Sequence, residues 1–193
     1  MKRLHCILFI GIFIVFNSCR NEEKTKNVQL AGMVFGTTYL IKYLDDATNY
    51  QPQIDSLFHE INKSLSTYIP TSDISRINTG ETAILVDDFF IEVFEKSKKI
   101  YLETDGYFDP TVGNLVNAWG FGSKKESFDL DSLTVKNEMQ YVGLHKVEIV
   151  NRKVIKQSPK IYLDFNSIAK GYGIDVIGRF LEQKNIQNYL IEI

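Results

Sequence analysis

The run from Thr104 to Gly122, TDGYFDPTVGNLVNAWGFG, constrains this chain more than any other stretch. Within nineteen positions it holds four glycines, one proline, two aspartates and four aromatic residues, Tyr107, Phe108, Trp119 and Phe121. So many glycines argue against one unbroken helix or strand, because glycine loses the most backbone freedom on ordering. So many aromatics are unusual for a surface loop. Two arrangements satisfy both facts. One is a buried turn with packed aromatics. The other is a pocket wall, where glycines admit the close approach of a flat ligand such as a base or a flavin ring. Asp105 and Asp109 flank Gly106, and either one fixes the turn or holds a ribose hydroxyl.

The chain begins with a segment that speaks to compartment rather than fold. Lys2 and Arg3 precede an apolar run, Leu4–Phe16, broken only by His5 and Gly11. That run is short for a membrane span and has the length of a signal peptide's apolar region. Phe16-Asn17-Ser18-Cys19 then leads into the polar RNEEKTKN. A cysteine after a small residue at this point resembles a bacterial lipobox, and cleavage would leave Cys19 as the lipidated first residue. The other reading is an ordinary secretory signal with an incidental cysteine. The expected organisation is a lipoprotein signal peptide at 1–18, a polar tether at 19–27 and one domain at 28–193.

Cys6 and Cys19 are the two cysteines of the sequence. Loss of Cys6 with the signal leaves no disulfide and no thiolate metal site. The about 170 residues that remain suffice for one domain built on its own apolar core. Removing residues 1–18 takes away two of 22 basic residues and none of the 24 acidic ones, for a formal charge of −4. No basic patch is evident, which argues against a nucleic-acid partner.

The remaining pattern is α+β. Val28–Tyr43 is rich in β-branched and aromatic residues and reads as strand, with Gly32 and Gly36 as bulges or points of ligand approach. Gln53–Leu65 places Ile54, Leu57, Phe58, Ile61 and Leu65 at helical spacing. Pro70 ends that helix, and Ser72–Asn78 reads as a short capped helical turn. Ala83–Val86 is expected as a brief strand. Asp87 or Asp88 caps a helix reaching about Glu103, with Phe90, Val93, Phe94, Ser97, Ile100 and Tyr101 inward. Leu130–Val142 is expected to be helical, Val147–Ile155 a hairpin around Asn151-Arg152, Lys160–Asp164 a strand, Ala169–Lys184 a helix and Asn188–Ile193 a strand. His5, His59 and His145 show no ligand spacing, and no nucleophile signature is present.

LDFNSIAKGYGID, Leu163–Asp175, is the second stretch with chemistry in it. A strand ends at Asp164, turns through Asn166 and Ser167, and opens a helix carrying Lys170. Unpaired amides at a helix start, beside one lysine, suit an anion or a phosphate. The same residues equally describe an ordinary N-cap with Asn166 or Ser167 as the capping side chain. Gly171 and Gly173 would admit a ligand or a neighbouring backbone. The spacing is not that of a P-loop.

GMVFGTTYLIKY, SLSTYIPTSDISRIN, TDGYFDPTVGNLVNAWGFG, YVGL and LDFNSIAKGYGID occur in this order and together resemble the ApbE family of FAD:protein FMN transferases. The resemblance implies an ApbE-like, T-fold-related α+β domain of mixed helices and mainly antiparallel sheet, apparently truncated. It implies magnesium-dependent transfer of FMN from FAD to a threonine or serine hydroxyl of an acceptor protein, with release of AMP. Some relatives mainly hydrolyse FAD to FMN and AMP. The implied acceptors are flavin-carrying subunits of sodium-pumping NADH dehydrogenase and Rnf-type complexes. The implied location is the periplasmic side of the cell inner membrane, held by a lipid anchor.

By motif, Phe35 lies where the family usually has a methionine beside the flavin. Tyr68, Tyr107, Phe108, Asp109 and Asp164 match FAD-contacting positions, and Lys170 lies beside the expected phosphates. Ser167 matches a position whose backbone carbonyl binds the metal. The family continues past the strand at Tyr189–Ile193 into a Gly-Gly turn and a second portion with the side-chain metal ligands, an aspartate and a nearby threonine or similar residue, and more of the flavin pocket. Little or no transferase activity is therefore expected of these 193 residues alone. The competing classes are a non-enzymatic FAD-binding lipoprotein and an inert fragment.

Overall fold

The computed structural model describes residues 27–123 and 131–193. The expected signal segment at 1–18, Cys19, most of the expected tether and Leu130 lie outside the described residues. Two strands open the fold, β1 (Val28–Val34) and β2 (Thr37–Tyr43), paired antiparallel from Val28↔Tyr43 to Val34↔Thr37. The sequence expectation of one strand through this region is corrected to a hairpin. Its two-residue turn is Phe35-Gly36, with φ of 48° and 76°. Positive φ at both central positions is what a type I′ connection needs, and asparagine or aspartate is the usual first residue. A phenylalanine there hides the turn from a sequence reading. Gly32 is neither bulge nor ligand approach. It sits opposite Tyr39, whose ring occupies the space a Cβ would need.

Helix α1 (Gln51–Leu65) begins with Pro52 in its first turn, where the missing N–H costs nothing. It buries Ile54, Phe58, Ile61 and Leu65, as its spacing predicts. Helix α2 (Asp73–Asn78) is capped by the Ser72 side chain, which accepts from the Ser75 amide. Helix α3 (Asp88–Glu103) is capped by Asp87, which accepts from the Phe90 amide. Helices α4 (Gly113–Ala118) and α5 (Ser132–Met139) are short; α5 starts at its cap Asp131 and is briefer than expected. A single 3-10 turn, Leu144–Lys146, leads into the hairpin of β3 (Val147–Val150) and β4 (Lys153–Lys156). Asn151 and Arg152, at φ 48° and 63°, make its turn where the sequence placed it. Helix α6 (Asn166–Gln183) and β5 (Tyr189–Glu192) close the described fold. β5 pairs antiparallel with β2, so β2 is central in the order β1-β2-β5.

Two expected strands are not strands. Ala83–Val86 has one ladder-like contact: the Val86 amide donates to the Arg152 carbonyl, and the Arg152 guanidinium returns a bond to the Val86 carbonyl. Lys160–Asp164 has a single parallel bridge, Tyr162↔Val112. Its remaining backbone bonds go to side chains, such as Asn78 and Lys156, and to the loop carbonyls of Ser158 and Pro110. Alternation alone cannot tell a strand from an extended segment whose neighbours are loops.

Two apolar clusters stabilise the molecule. One joins Leu30, Val34, Tyr39, Ile41 and Tyr43 of the sheet to Ile54 and Phe58 of α1 and Ile177 and Leu181 of α6. The other joins Ile61 and Leu65 to α2, α3, Leu163 and Phe165. Each fully buried aliphatic or aromatic side chain contributes about 1.5–3 kcal/mol. Phe35 packs against both clusters, which places the β1–β2 turn at their seam.

Candidate functional site

A cleft of about 590 Å³ opens at that seam. Its lining includes Phe35 and Gly36 of the first turn, Tyr68 after α1, and Asn166, Ala169 and Lys170 on the first turns of α6. The volume lies within the range of small-molecule sites. Local sequence explains each wall. The type I′ turn carries Phe35 to the hairpin tip. The break after α1 frees Ser66–Pro70 to run beside the cleft. The Asp164–Asn166 turn aims the start of α6 at it.

The Ser66–Ser72 segment is held from within. The Ser66 carbonyl accepts from Ser72 Oγ at 2.6 Å and from Ser75 Oγ at 3.2 Å. Buried Thr67 accepts from Asn166 Nδ2 at 3.0 Å, tying this segment to α6. Tyr68, between these anchors, is 60 % exposed. An aromatic side chain on a fixed backbone with a free face can accept a flat ring.

On the opposite wall, Asn166 donates its amide to Asp164 Oδ1 at 2.7 Å. Phe165 is the N-cap and provides no side-chain bond, so the expectation of Asn166 or Ser167 as cap is corrected. The helix also begins three residues earlier than the sequence suggested. The Ile168 and Ala169 amides both donate to the Phe165 carbonyl. Lys170 is exposed at the rim, and among the described residues its ammonium has no acidic partner. The Asn166, Ile168 and Ala169 amides are thus already bonded, so it is the Lys170 ammonium, aided by the positive end of the helix dipole, that can receive phosphate oxygens at this rim. Burial holds the Asp164 carboxyl above its ordinary pKa, partly offset by its bonds to Asn166.

Phe35, Tyr68 and Lys170 therefore come together. Asp164 lies two residues from the cleft-lining Asn166. Tyr107, Phe108 and Asp109 stand outside the cleft lining. Tyr107 is 97 % exposed and Phe108 half-buried. Both Asp109 oxygens are engaged: Oδ1 accepts from the Thr111 amide and hydroxyl at 2.8 and 2.6 Å, and Oδ2 from the Leu144 amide at 3.2 Å. Of the two roles the sequence left open for Asp109, the structure shows the turn-fixing one.

The described residues contain no group of three or more His, Cys, Asp or Glu side chains able to hold a metal. Ser167 sits in the first turn of α6, and the nearest carboxyl in sequence, Asp164, is already bonded to Asn166. These residues alone do not fit a magnesium ion.

Two supporting residues went unnoticed in the sequence. The Asn78 side chain donates to the Leu163 carbonyl and accepts from the Leu163 amide, both at 2.8 Å. It thus imitates a strand partner across 85 residues. The Lys156 ammonium donates to the carbonyls of Ile77, Pro159 and Ile161 at 3.0, 3.3 and 2.9 Å. Burial lowers its pKa. Nothing in a single sequence marks a lysine or an asparagine as a clamp on a distant backbone.

A family model described as the ApbE family matches residues 35–193. A Haemophilus influenzae FAD:protein FMN transferase is 34% identical over 206 residues, covering 100% of this chain and 59% of that protein. The solved flavin transferase ApbE from Vibrio cholerae superposes with a TM-score of 0.80 at 34% identity, over 88% of this chain and 57% of that one. The Pseudomonas stutzeri flavinyl transferase ApbE, in its apo form, gives a TM-score of 0.82 at 27% identity, over 90% and 60%. The chain thus spans less than two thirds of the length of each.

Proposed function

This chain belongs to the ApbE family, and on that premise we propose that it supplies the flavin-nucleotide cleft of an FAD:protein FMN transferase. The observation that carries the reading is the convergence of Phe35, Tyr68 and Lys170 on one cleft at the start of α6. Two aromatic faces suit the isoalloxazine ring. The lysine and the helix start suit the pyrophosphate. In the proposed reaction, the hydroxyl oxygen of an acceptor threonine or serine attacks the phosphorus of the FMN half. The bond from that phosphorus to the bridging oxygen breaks, AMP leaves with the electron pair, and the hydroxyl proton passes to solvent. Holding the diphosphate in line for attack is the contribution asked of the cleft.

Magnesium is the metal expected in such a transfer, where it binds phosphate oxygens beside a few protein ligands. The described residues do not make its site. That observation favours a second reading for the 193 residues alone: FAD binding without transfer. The acceptors proposed are flavin-carrying subunits of sodium-pumping NADH dehydrogenase or Rnf-type complexes. The proposed location is the periplasmic side of the inner membrane, with Cys19 lipidated; Cys19→Ala should then shift the protein from membrane to soluble fraction.

The test incubates the purified chain with FAD, magnesium and an acceptor domain. It reads flavin fluorescence quenching, AMP by chromatography and covalent flavin on a denaturing gel. Quenching with AMP and a fluorescent acceptor band supports transfer. AMP without the band supports hydrolysis, and quenching alone supports the binder. Absence of quenching removes the cleft as an FAD site.

A further inference from the structure

The face of α6 behind the cleft rim carries Gly173, which is buried eight positions into the helix. The sequence reading reserved its space for a ligand or a backbone. A side chain fills it instead. A Cβ placed on Gly173 would fall 2.6 Å from Cε2 and 3.1 Å from Cζ of Phe35. The Phe35 ring is also held on another side, edge-on to Phe58 with ring centres 5.7 Å apart at 80°. Its backbone is fixed by the two positive-φ positions of the β1–β2 turn. The ring borders the cleft on its remaining side.

We propose that Gly173 is a specificity-determining position, whose missing side chain lets the Phe35 ring withdraw from the cleft and so sets the room left for a flat ligand. With Phe58 packed on one side and the turn holding the backbone, a methyl group at 173 drives the ring toward the open cleft. Ala in a helix interior is otherwise favourable, so the helix itself tolerates the change. Gly171 is the internal control. It lies two residues earlier on α6, is exposed, and has nothing within 4 Å of where its Cβ would be.

One arm of the test needs no ligand. The full chain is labelled with 4-fluorophenylalanine, and the Phe35 signal is identified by its loss in Phe35→Leu. Gly173→Ala should move that fluorine resonance, and Gly171→Ala should leave it in place. An unmoved Phe35 signal in Gly173→Ala overturns the proposal. The second arm rests on the FAD reading above. Gly173→Ala should weaken FAD binding about tenfold, the scale of overpacking by one methyl. In a Phe35→Ala background the same change should have no effect. Equal weakening in both backgrounds would locate the loss in the helix and overturn the proposal. Should FAD fail to bind the wild-type chain, the FAD reading falls while the fluorine arm still decides the ring's displacement.

Discussion

Ser66–Asn78 and Thr104–Gly122 both combine aromatic, turn-forming and hydroxyl residues, yet the fold uses them differently. In the first, the Ser66 carbonyl takes two serine hydroxyls, Thr67 takes the Asn166 amide group, and Asn78 holds both backbone groups of Leu163. Its exposed aromatic, Tyr68, faces a cleft. In the second, Asp109 and Thr111 fix the turn, and Thr111 Oγ1 accepts from the Gly143 amide at 2.6 Å. Three of its four aromatics, Tyr107, Trp119 and Phe121, are 97, 57 and 80 % exposed. Among the described residues, those three therefore do not pack a corner. Glycine-aromatic composition reports a tolerance for close approach, but neighbouring chain decides whether anything approaches.

The contrast breaks most sharply at Asn78. Asn78→Ala leaves the amide and carbonyl of buried Leu163 without partners, which should cost about 2–4 kcal/mol. Asn78→Asp keeps the acceptor and loses the donor, so it should fall between. Urea unfolding measures both, and a loss under about 1 kcal/mol for Asn78→Ala would deny the clamp its role. Asp109→Ala tests the other segment. Three bonds to part-buried amides and a hydroxyl should be worth about 1–2 kcal/mol in total. Affinity separates the two exposed tyrosines. Tyr68→Ala should weaken FAD binding about tenfold through loss of an aromatic face. Tyr107→Ala should change it less than about twofold. Comparable losses at both would extend the flavin site to the Thr104–Gly122 run.

The sequence carried the α+β class, the three longer helices, the second hairpin and the last strand. Each has a local signal: apolar spacing in α1, the Asp87 cap of α3, the Asn151-Arg152 turn. What escaped it depends on partners far along the chain. The first turn is Phe-Gly rather than Asn-Gly, so a hairpin read as one strand. Lys160–Asp164 alternates like a strand but is met by Asn78 and Pro110, with the Asp164 amide on the Pro110 carbonyl at 2.7 Å. The cleft was partly legible, because Phe35, Tyr68 and Lys170 sit in recognisable motifs. That Asn166 bridges to Thr67, 99 residues away, was not.

The smallest expected effect is a pH dependence at Asp164, two residues before the cleft-lining Asn166. Burial is the main cause that raises the Asp164 carboxyl above 3.8, against bonds from Asn166 that lower it. The folded state therefore holds that proton more tightly than the unfolded chain does. The resulting stabilisation is complete below the unfolded value near 3.8 and is lost as pH rises through the folded value. Asp73, raised by burial and then by Asp87, acts in the same direction. Asp45 and Asp46, lowered chiefly by bonds from Asn188 and Thr48, act in the opposite one, so the raw pH curve mixes the two. The Asp164 part is isolated by subtraction. Wild type minus Asp164→Asn, compared by urea unfolding at each pH, should decline as pH rises above 4. A flat difference would mean that water reaches this carboxyl as freely as it reaches the exposed aromatics of the Thr104–Gly122 run.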